Sequence, residues 1–358
     1  MDIRKILKDW MLPVAMTAGA SGYLLYHYTP ALHRFAPVLS ALVNLLQPLF
    51  IFLMLFLTFC RIEPKDLKPH RWHWWLLLVQ GGLFSLLGLL IHFLSELLPA
   101  DVNSWTVLVE SAMLCIICPT ATAAAVVTRK LGGDVAGITT YTVLINFLAA
   151  ILVPLIVPLI HPSDGTDFWT AFSMIMVKVF PLLILPCFSA WLVRYLFPRF
   201  HRRLLGYPDL AFYLWAFALA LAIAVTVRSI MSSSLGGWLL VMIAAISLVC
   251  CVLQFAAGRY IGSLYRPRVR RSTVCDAPSP ALQDYGTFSP QGLERGRNVR
   301  KITAGQALGQ KNTVFAIWMG YTFMTPETSI VGGLYSIWHN LYNSWQLYRA
   351  RKTDESGC

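Results

Sequence analysis

The stretch that decides the fold is ITAGQALGQKNTVFAIWMG, Ile302 to Gly320. It is apolar enough to enter a bilayer, yet Lys311 and Asn312 stand side by side near its middle. An ammonium at that depth costs several kcal/mol, so it needs a partner or a task. A second stretch has the same conflict. LCIICPTATAAAVVTRKLGGD, Leu114 to Asp134, is apolar, but Pro119 removes a backbone donor and crowds the preceding turn. The helix there is expected to open around Cys118–Thr122. In the later stretch Gly305 and Gly309 weaken the helix and let another backbone approach closely.

Composition places both stretches in a membrane. Hydrophobic residues make up 57% of the chain and charged residues 13%, with a mean hydropathy of +0.61. A soluble protein of this length could not hide so much apolar surface. The net charge of +12 therefore reads through loop topology and not through nucleic acid, which is not an expected partner. The start MDIRKILKDW runs directly into the first span, so no removable signal peptide is expected. The eight cysteines have no metal or disulfide spacing and read as small buried hydrophobes.

Ten apolar stretches of about 20 residues or more, each sufficient for a hydrocarbon core of ~30 Å, run over 10–28, 36–60, 73–98, 104–130, 135–160, 168–196, 208–230, 236–263, 302–322 and 326–348. Alternate loops hold Arg4, Lys5 and Lys8, then Lys65 and Lys68, Arg129 and Lys130, Arg199 to Arg203, the run from Arg259 to Lys301, and Arg349 to Lys352. The opposite loops hold only Arg34 and Arg228. The asymmetry predicts ten helices with both termini cytoplasmic, in the plasma (inner) membrane. Residues 1–9 and 349–358 are the cytoplasmic ends. Residues 264–300, rich in Pro, Ser, Gly and Arg, read as a disordered cytoplasmic linker near anionic lipid headgroups. Trp72, Trp74 and Trp75 fit an interfacial belt.

Five spans precede HPSDGTD and five follow it, and an odd number inverts one half relative to the other. The two interrupted stretches are then the fourth span of each half. Interrupted helices at matching positions of inverted repeats point to the central binding site of a transporter.

At these residues the chain resembles the bile acid:sodium symporter family. CPTATAAAVVTRKLGGDVA (Cys118–Ala136) is similar to its Cys-Pro-Gly-Gly-Thr-Ala-Ser-Asn stretch, and ALGQKNTVFA (Ala307–Ala316) to its Glu-x-Gly-x-Gln-Asn motif. SIWHNLYNSW (Ser336–Trp345) resembles the Ser-x-Trp-His-Asn signature of the last helix, and VFPLLILPCFSAWLVRYLFP (Val179–Pro198) its sixth span. The resemblance implies a panel of spans 1, 2, 6 and 7 (10–60 and 168–230). It also implies a core of spans 3–5 and 8–10 (73–160 and 236–348), in which the fourth and ninth helices cross at their breaks. It implies secondary transport of an organic anion by alternating access, the family's anions including bile acids, sulfated steroids and small carboxylates, usually with sodium.

The sodium positions depart from that pattern. Where the family has a Ser-Asn pair, two fifth-helix hydroxyls and a ninth-helix Glu, this chain has Ala124 and Ala125, Ile138 and Thr142, and Ala307. Gln80 matches the third-helix ligand, and Lys311 replaces the last Gln. Sodium needs oxygens and methyl groups supply none, so the chain is expected to bind no sodium, with Lys311 carrying the positive charge instead. Three roles stay open for that amine: gaining and losing a proton through the cycle, fixing the crossover by donating to carbonyls and Gln80, or pairing with the anion. Snorkelling to an interface is the plain alternative. A sodium-coupled symporter and a non-transporting solute sensor are the rival functions. Asn312 is expected to brace the crossover, at which Pro119 and Gly309 also lie. Thr120, Thr122, Thr142 and Asn146 are candidates for the cavity, and His339 and Asn340 for structural hydrogen bonds. Glu110, too far out to reach Lys311 in a simple helix, is open as a salt-bridge partner, a cavity acid or an entry-path residue, and Lys178 belongs to the outer half of span six, reaching water or a partner. No His-Glu-x-x-His, paired Asp or Ser/Lys arrangement supports an enzyme, and the spans are too apolar for a channel. No cofactor is implied.

Overall fold

The computed structural model describes residues 3–97, 103–161, 167–207, 210–233, 236–265 and 290–356. Among them the secondary structure is helical, without a β-strand. In chain order the helices are α1 (Ile3–Tyr28), α2 (Pro30–His33), α3 (Ala36–Cys60), α4 (Arg71–Leu97), α5 (Asn103–Ile117), α6 (Ala124–Lys130) and α7 (Val135–Ile160). There follow α8 (Phe168–Leu196), α9 (Pro198–Leu205), α10 (Leu210–Ser232), α11 (Gly237–Leu264), α12 (Pro290–Gly309), α13 (Thr313–Phe323) and α14 (Ser329–Ser356). Six are long and apolar enough to cross a bilayer: α3, α4, α7, α8, α10 and α11. The 26 residues of α7 span about 39 Å at 1.5 Å per residue, more than a hydrocarbon core needs.

The two interrupted spans appear as pairs of short helices, α5 with α6 and α12 with α13. The first opens where expected, beside Pro119. The second opens at Gln310–Asn312, and Gly305 lies inside α12. Its glycines serve packing instead. A methyl on Gly258 of α11 would run into the backbone of Ala304 and Gly305, and one on Gly309 would enter the Phe255 ring. The close α11–α12 approach therefore depends on missing side chains.

Several helices outrun the spans read from sequence. Helix α12 begins at Pro290, inside the segment taken as a disordered linker (264–300), so its last part is helical; residues 266–289 lie outside the described ones. Likewise α1 begins within residues 1–9 and α14 runs into 349–358. Trp72 is another correction: it is buried and stacks 6.4 Å from Tyr141, while Trp74 and Trp75 are exposed. Helix α1 packs on α10, α3 on α8 and α10, and α7 on α4 and α8. Helix α11 packs on α5, α12 and α14.

Candidate functional site

The breaks face each other. Thr120 and Lys311 form an antiparallel bridge: Ala121 N donates to Gln310 O at 3.1 Å and Asn312 N to Pro119 O at 2.8 Å. Each unwound backbone thus finds its partners in the other, as irregular backbone at membrane depth requires.

The last carbonyls of a helix have no intrahelical partner, and here side chains distant in sequence supply them. On α5, Gln254 Nε2 reaches Cys115 O at 3.2 Å and Lys311 Nζ reaches Ile116 O at 2.9 Å. Gln80 Nε2 spans Ile117 O at 3.3 Å and Cys118 O at 3.2 Å. On α12, Thr120 Oγ1 donates to Ala307 O at 2.7 Å and Tyr335 OH to Gly309 O at 2.8 Å. Lys311 is 2% exposed, and among the described residues no carboxylate pairs with it. Its ammonium sits instead at the C-terminal end of α5, where the helix dipole favours a cation by about 0.3–2 kcal/mol. The snorkelling alternative is therefore excluded. Lys311 and Gln80 do not bond each other; they take adjacent carbonyls. Gln80 Oε1 in turn accepts from Tyr141 OH at 2.7 Å.

Asn312 begins α13, its Oδ1 accepting from Phe315 N at 3.3 Å, while its Nδ2 has no protein partner. Beside it lies a cavity of about 150 Å³. Its lining mixes polar residues (Thr122, Gln310, Asn312, Thr313, Asn343 and Ser344) with apolar ones (Val127, Trp215, Val314 and Leu347). His339 and Asn340 also line it. Asn340 Nδ2 donates to Ser336 O in its own helix at 2.7 Å. His339 leaves Nδ1 without a partner within the protein and meets the Tyr335 ring edge-on, with centroids 5.7 Å apart.

Thr142 and Asn146 do not line this cavity. Thr142 Oγ1 donates back to Ile138 O at 2.9 Å and Asn146 Nδ2 to Thr142 O at 2.8 Å. Ala124, Ile138 and Ala307 meet in one buried apolar cluster with Trp72, Tyr141 and Leu308, and Ala125 packs against it. Four of the five positions matched to the family's first sodium site thus come together as hydrocarbon, and the fifth, Thr142, keeps its hydroxyl on its own helix.

Glu110 is fully buried, 2.8 Å from His161 Nε2. It also accepts from Thr325 N at 3.2 Å and Thr328 Oγ1 at 2.8 Å. It ties α5 to the turn between α13 and α14. Lys178 is exposed and lies over the Phe323 ring at 5.6 Å.

The sequence reading missed Gln254, Tyr335, Tyr141 and Gln310. A glutamine in the apolar run of α11 was a readable signal of the kind Gln80 gave. The tyrosines were not, since an aromatic in a span is ordinarily packing.

Long apolar helices with two half-helix pairs hydrogen-bonded at their breaks define an integral membrane protein of the transporter class. The chain belongs to the SBF-like CPA transporter family, whose family model matches residues 19–348. That is the bile acid:sodium symporter-like relationship carried by the motifs around Pro119 and Lys311. It is a family of transporters and not of enzymes. Comparison with curated proteins gives no match.

Proposed function

We propose that the protein is a secondary transporter of an organic anion that works by alternating access without sodium, with Lys311 standing where relatives bind a cation. The observation that carries this reading is the Lys311 amine, donating to Ile116 O at 2.9 Å beneath the crossed breaks. It supplies fixed positive charge to the carbonyl end of α5, and the apolar cluster around Ala124, Ile138 and Ala307 leaves sodium few oxygens. Of the roles open to the amine, fixing the crossover fits this geometry.

In this reading ten passes form two inverted halves. The first half is α1, α3, α4, α5–α6 and α7; the second is α8, α10, α11, α12–α13 and α14. Matched pairs support the repeat. In the third and fifth passes of the first half, Gln80 meets Tyr141 at 2.7 Å; in those of the second half, Gln254 meets Tyr335 at 3.3 Å. Helices α1, α3, α8 and α10 form the panel that rocks against the remaining core. The Lys and Arg distribution puts both termini in the cytoplasm, in the inner membrane.

The test is to measure saturable binding of radiolabelled sodium to the purified protein, and flux of labelled organic anions into proteoliposomes under sodium or potassium. The expected result is no saturable sodium binding and equal flux in the two salts. Uptake driven by a sodium gradient overturns the substituted-cation reading. A pH gradient imposed on the same vesicles reads any proton coupling.

A further inference from the structure

Far from the crossover, a short helix carries positive charge that no acid in the described residues answers. Helix α9, Pro198–Leu205, joins α8 to α10 and packs on α3 and α8. His201 is its buried residue, with Nε2 2.7 Å from the carbonyl of Cys60, the last residue of α3. Leu204 packs against the core on the same side. Residues three and four apart share a helix face, so Arg199, Arg202 and Arg203 fall together on the face opposite His201, and all three are exposed. Like charges at that spacing repel. Within the protein Arg202 Nε donates to Pro198 O at 3.4 Å, but among the described residues no carboxylate pairs with any of the three. Glu63, in the turn after α3, pairs with Lys65 and Arg194 instead. The surroundings say where a counter-anion lies. Tyr195 and Phe197 before Pro198, Phe200 within α9 and Tyr207 after it are 69%, 59%, 50% and 67% exposed. Helices α8 and α10 on either side are long and apolar enough to cross a bilayer, so α9 lies where their ends meet water. Aromatic side chains interleaved with guanidiniums suit the headgroup level of a bilayer.

We propose that α9 is a docking surface for anionic phospholipid. The phosphodiester of a phosphatidylglycerol-type headgroup is held by Arg199, Arg202 and Arg203, and its acyl chains lie beside Phe197 and Phe200. A guanidinium presents paired donors that match phosphate oxygens, and the His201 contact keeps the three on the outward face. A soluble phosphate would use the charge and leave the exposed rings in water, whereas a lipid uses both. The surface goes beyond the carrier reading and does not depend on it.

The test counts lipids retained by the full-length protein in detergent, by native mass spectrometry, with phosphatidylglycerol, phosphatidylcholine and glycerol 3-phosphate as probes. Phosphatidylglycerol is expected to be retained over phosphatidylcholine. Glycerol 3-phosphate, which has the charge without the chains, is expected not to displace it. A guanidinium at an anionic surface contributes about fivefold. The triple variant Arg199→Gln, Arg202→Gln, Arg203→Gln is therefore expected to lose at least about tenfold in phosphatidylglycerol retention, and the three matching Arg→Lys changes less. Arg34→Gln, an exposed arginine in the turn between α2 and α3, is expected to change nothing. Thermal midpoints show whether each variant folds; if the glutamine variant does not, the wild-type lipid preference and the lysine variant decide. Equal retention of the two lipids overturns the surface, and so does undiminished retention in a folded glutamine variant. Displacement by glycerol 3-phosphate would replace the lipid with a soluble phosphate and overturn it as well. A loss in Arg34→Gln as large as that in the triple variant would reduce the effect to net charge and overturn the assignment to α9.

Discussion

The two interrupted helices do the same job with different chemistry. In the first, proline breaks the helix, and three side chains distant in sequence cover the exposed carbonyls at the end of α5: Gln254, Lys311 and Gln80. The helix that follows starts at Ala123, in helical conformation (φ −71, ψ −15) with no side-chain cap. In the second there is no proline. Hydroxyls of Thr120 and Tyr335 cover α12, and Asn312 (φ −75, ψ 83) caps α13 with its own side chain. The cation belongs by sequence to the second break but acts on the carbonyls of the first. A mobile ion between two breaks could leave; an ammonium on the chain cannot. Under the function proposed above, the crossover is a covalently tethered version of an ion-bridged joint.

The largest effect is expected where that asymmetry is removed. Lys311→Met keeps the bulk but takes away both the charge and the donor to Ile116 O. It should lower flux about tenfold or more, equivalent to about 1.4 kcal/mol. Counterflow at matched reconstitution measures this, and wild-type flux from Lys311→Met would show the amine to be dispensable. Lys311→Gln restores the family's residue without creating sodium dependence, because Ala125 and Ala307 still offer methyl groups. Comparing flux in sodium and potassium checks it: a sodium-stimulated Lys311→Gln protein would break the argument that several oxygens are missing.

Much of this was legible beforehand, for reasons that differ by residue. Pro119 and the Lys311–Asn312 pair violate the rules of an apolar helix so plainly that both breaks could be placed from sequence. The bilayer makes such violations conspicuous, since each unsatisfied group costs several kcal/mol there. The second break's exact cause was not legible. Gly305 and Gly309 looked like helix breakers, yet one lies inside α12 and the other at its last residue, and both pack against α11. Glycine reports close approach and weak helicity by the same absence of a side chain. Thr142 and Asn146 looked like cavity residues, yet each bonds its own helix, and sequence does not say which way a polar side chain resolves its need. The contacts of Glu110 with His161, Thr325 and Thr328 join segments far apart in the chain, and no local pattern announces them.

The matched glutamines sharpen the comparison at intermediate size. Gln80→Leu strands Ile117 O, Cys118 O and the Tyr141 hydroxyl, whereas Gln254→Leu strands Cys115 O while Tyr335 keeps Gly309 O. At about 1–3 kcal/mol per buried group left unpaired, Gln80→Leu should lower the thermal midpoint more than Gln254→Leu. Equal shifts would mean that the two halves bear the crossover alike. Glu110→Gln keeps an acceptor for Thr328 but removes the carboxylate charge that lies 2.8 Å from His161 Nε2. The expected cost is about 1.5–3 kcal/mol, the range for hydrogen bonds to charged groups, read as faster hydrogen exchange at the turn around Thr325.

The smallest effect concerns the helix starts. Asn312→Ala removes the cap on Phe315 N and should cost about 1 kcal/mol, seen as faster exchange in the first turn of α13. Ala123→Ser is the informative counterpart. A serine cap works from an extended backbone, where its oxygen can fold back to the second or third N–H; at Ala123 the backbone is already helical. The added hydroxyl should therefore leave exchange in α6 unchanged. Protection of α6 by Ala123→Ser would mean that the first break can relax toward the geometry of the second, and the difference between them would then be one of side chains and not of backbone.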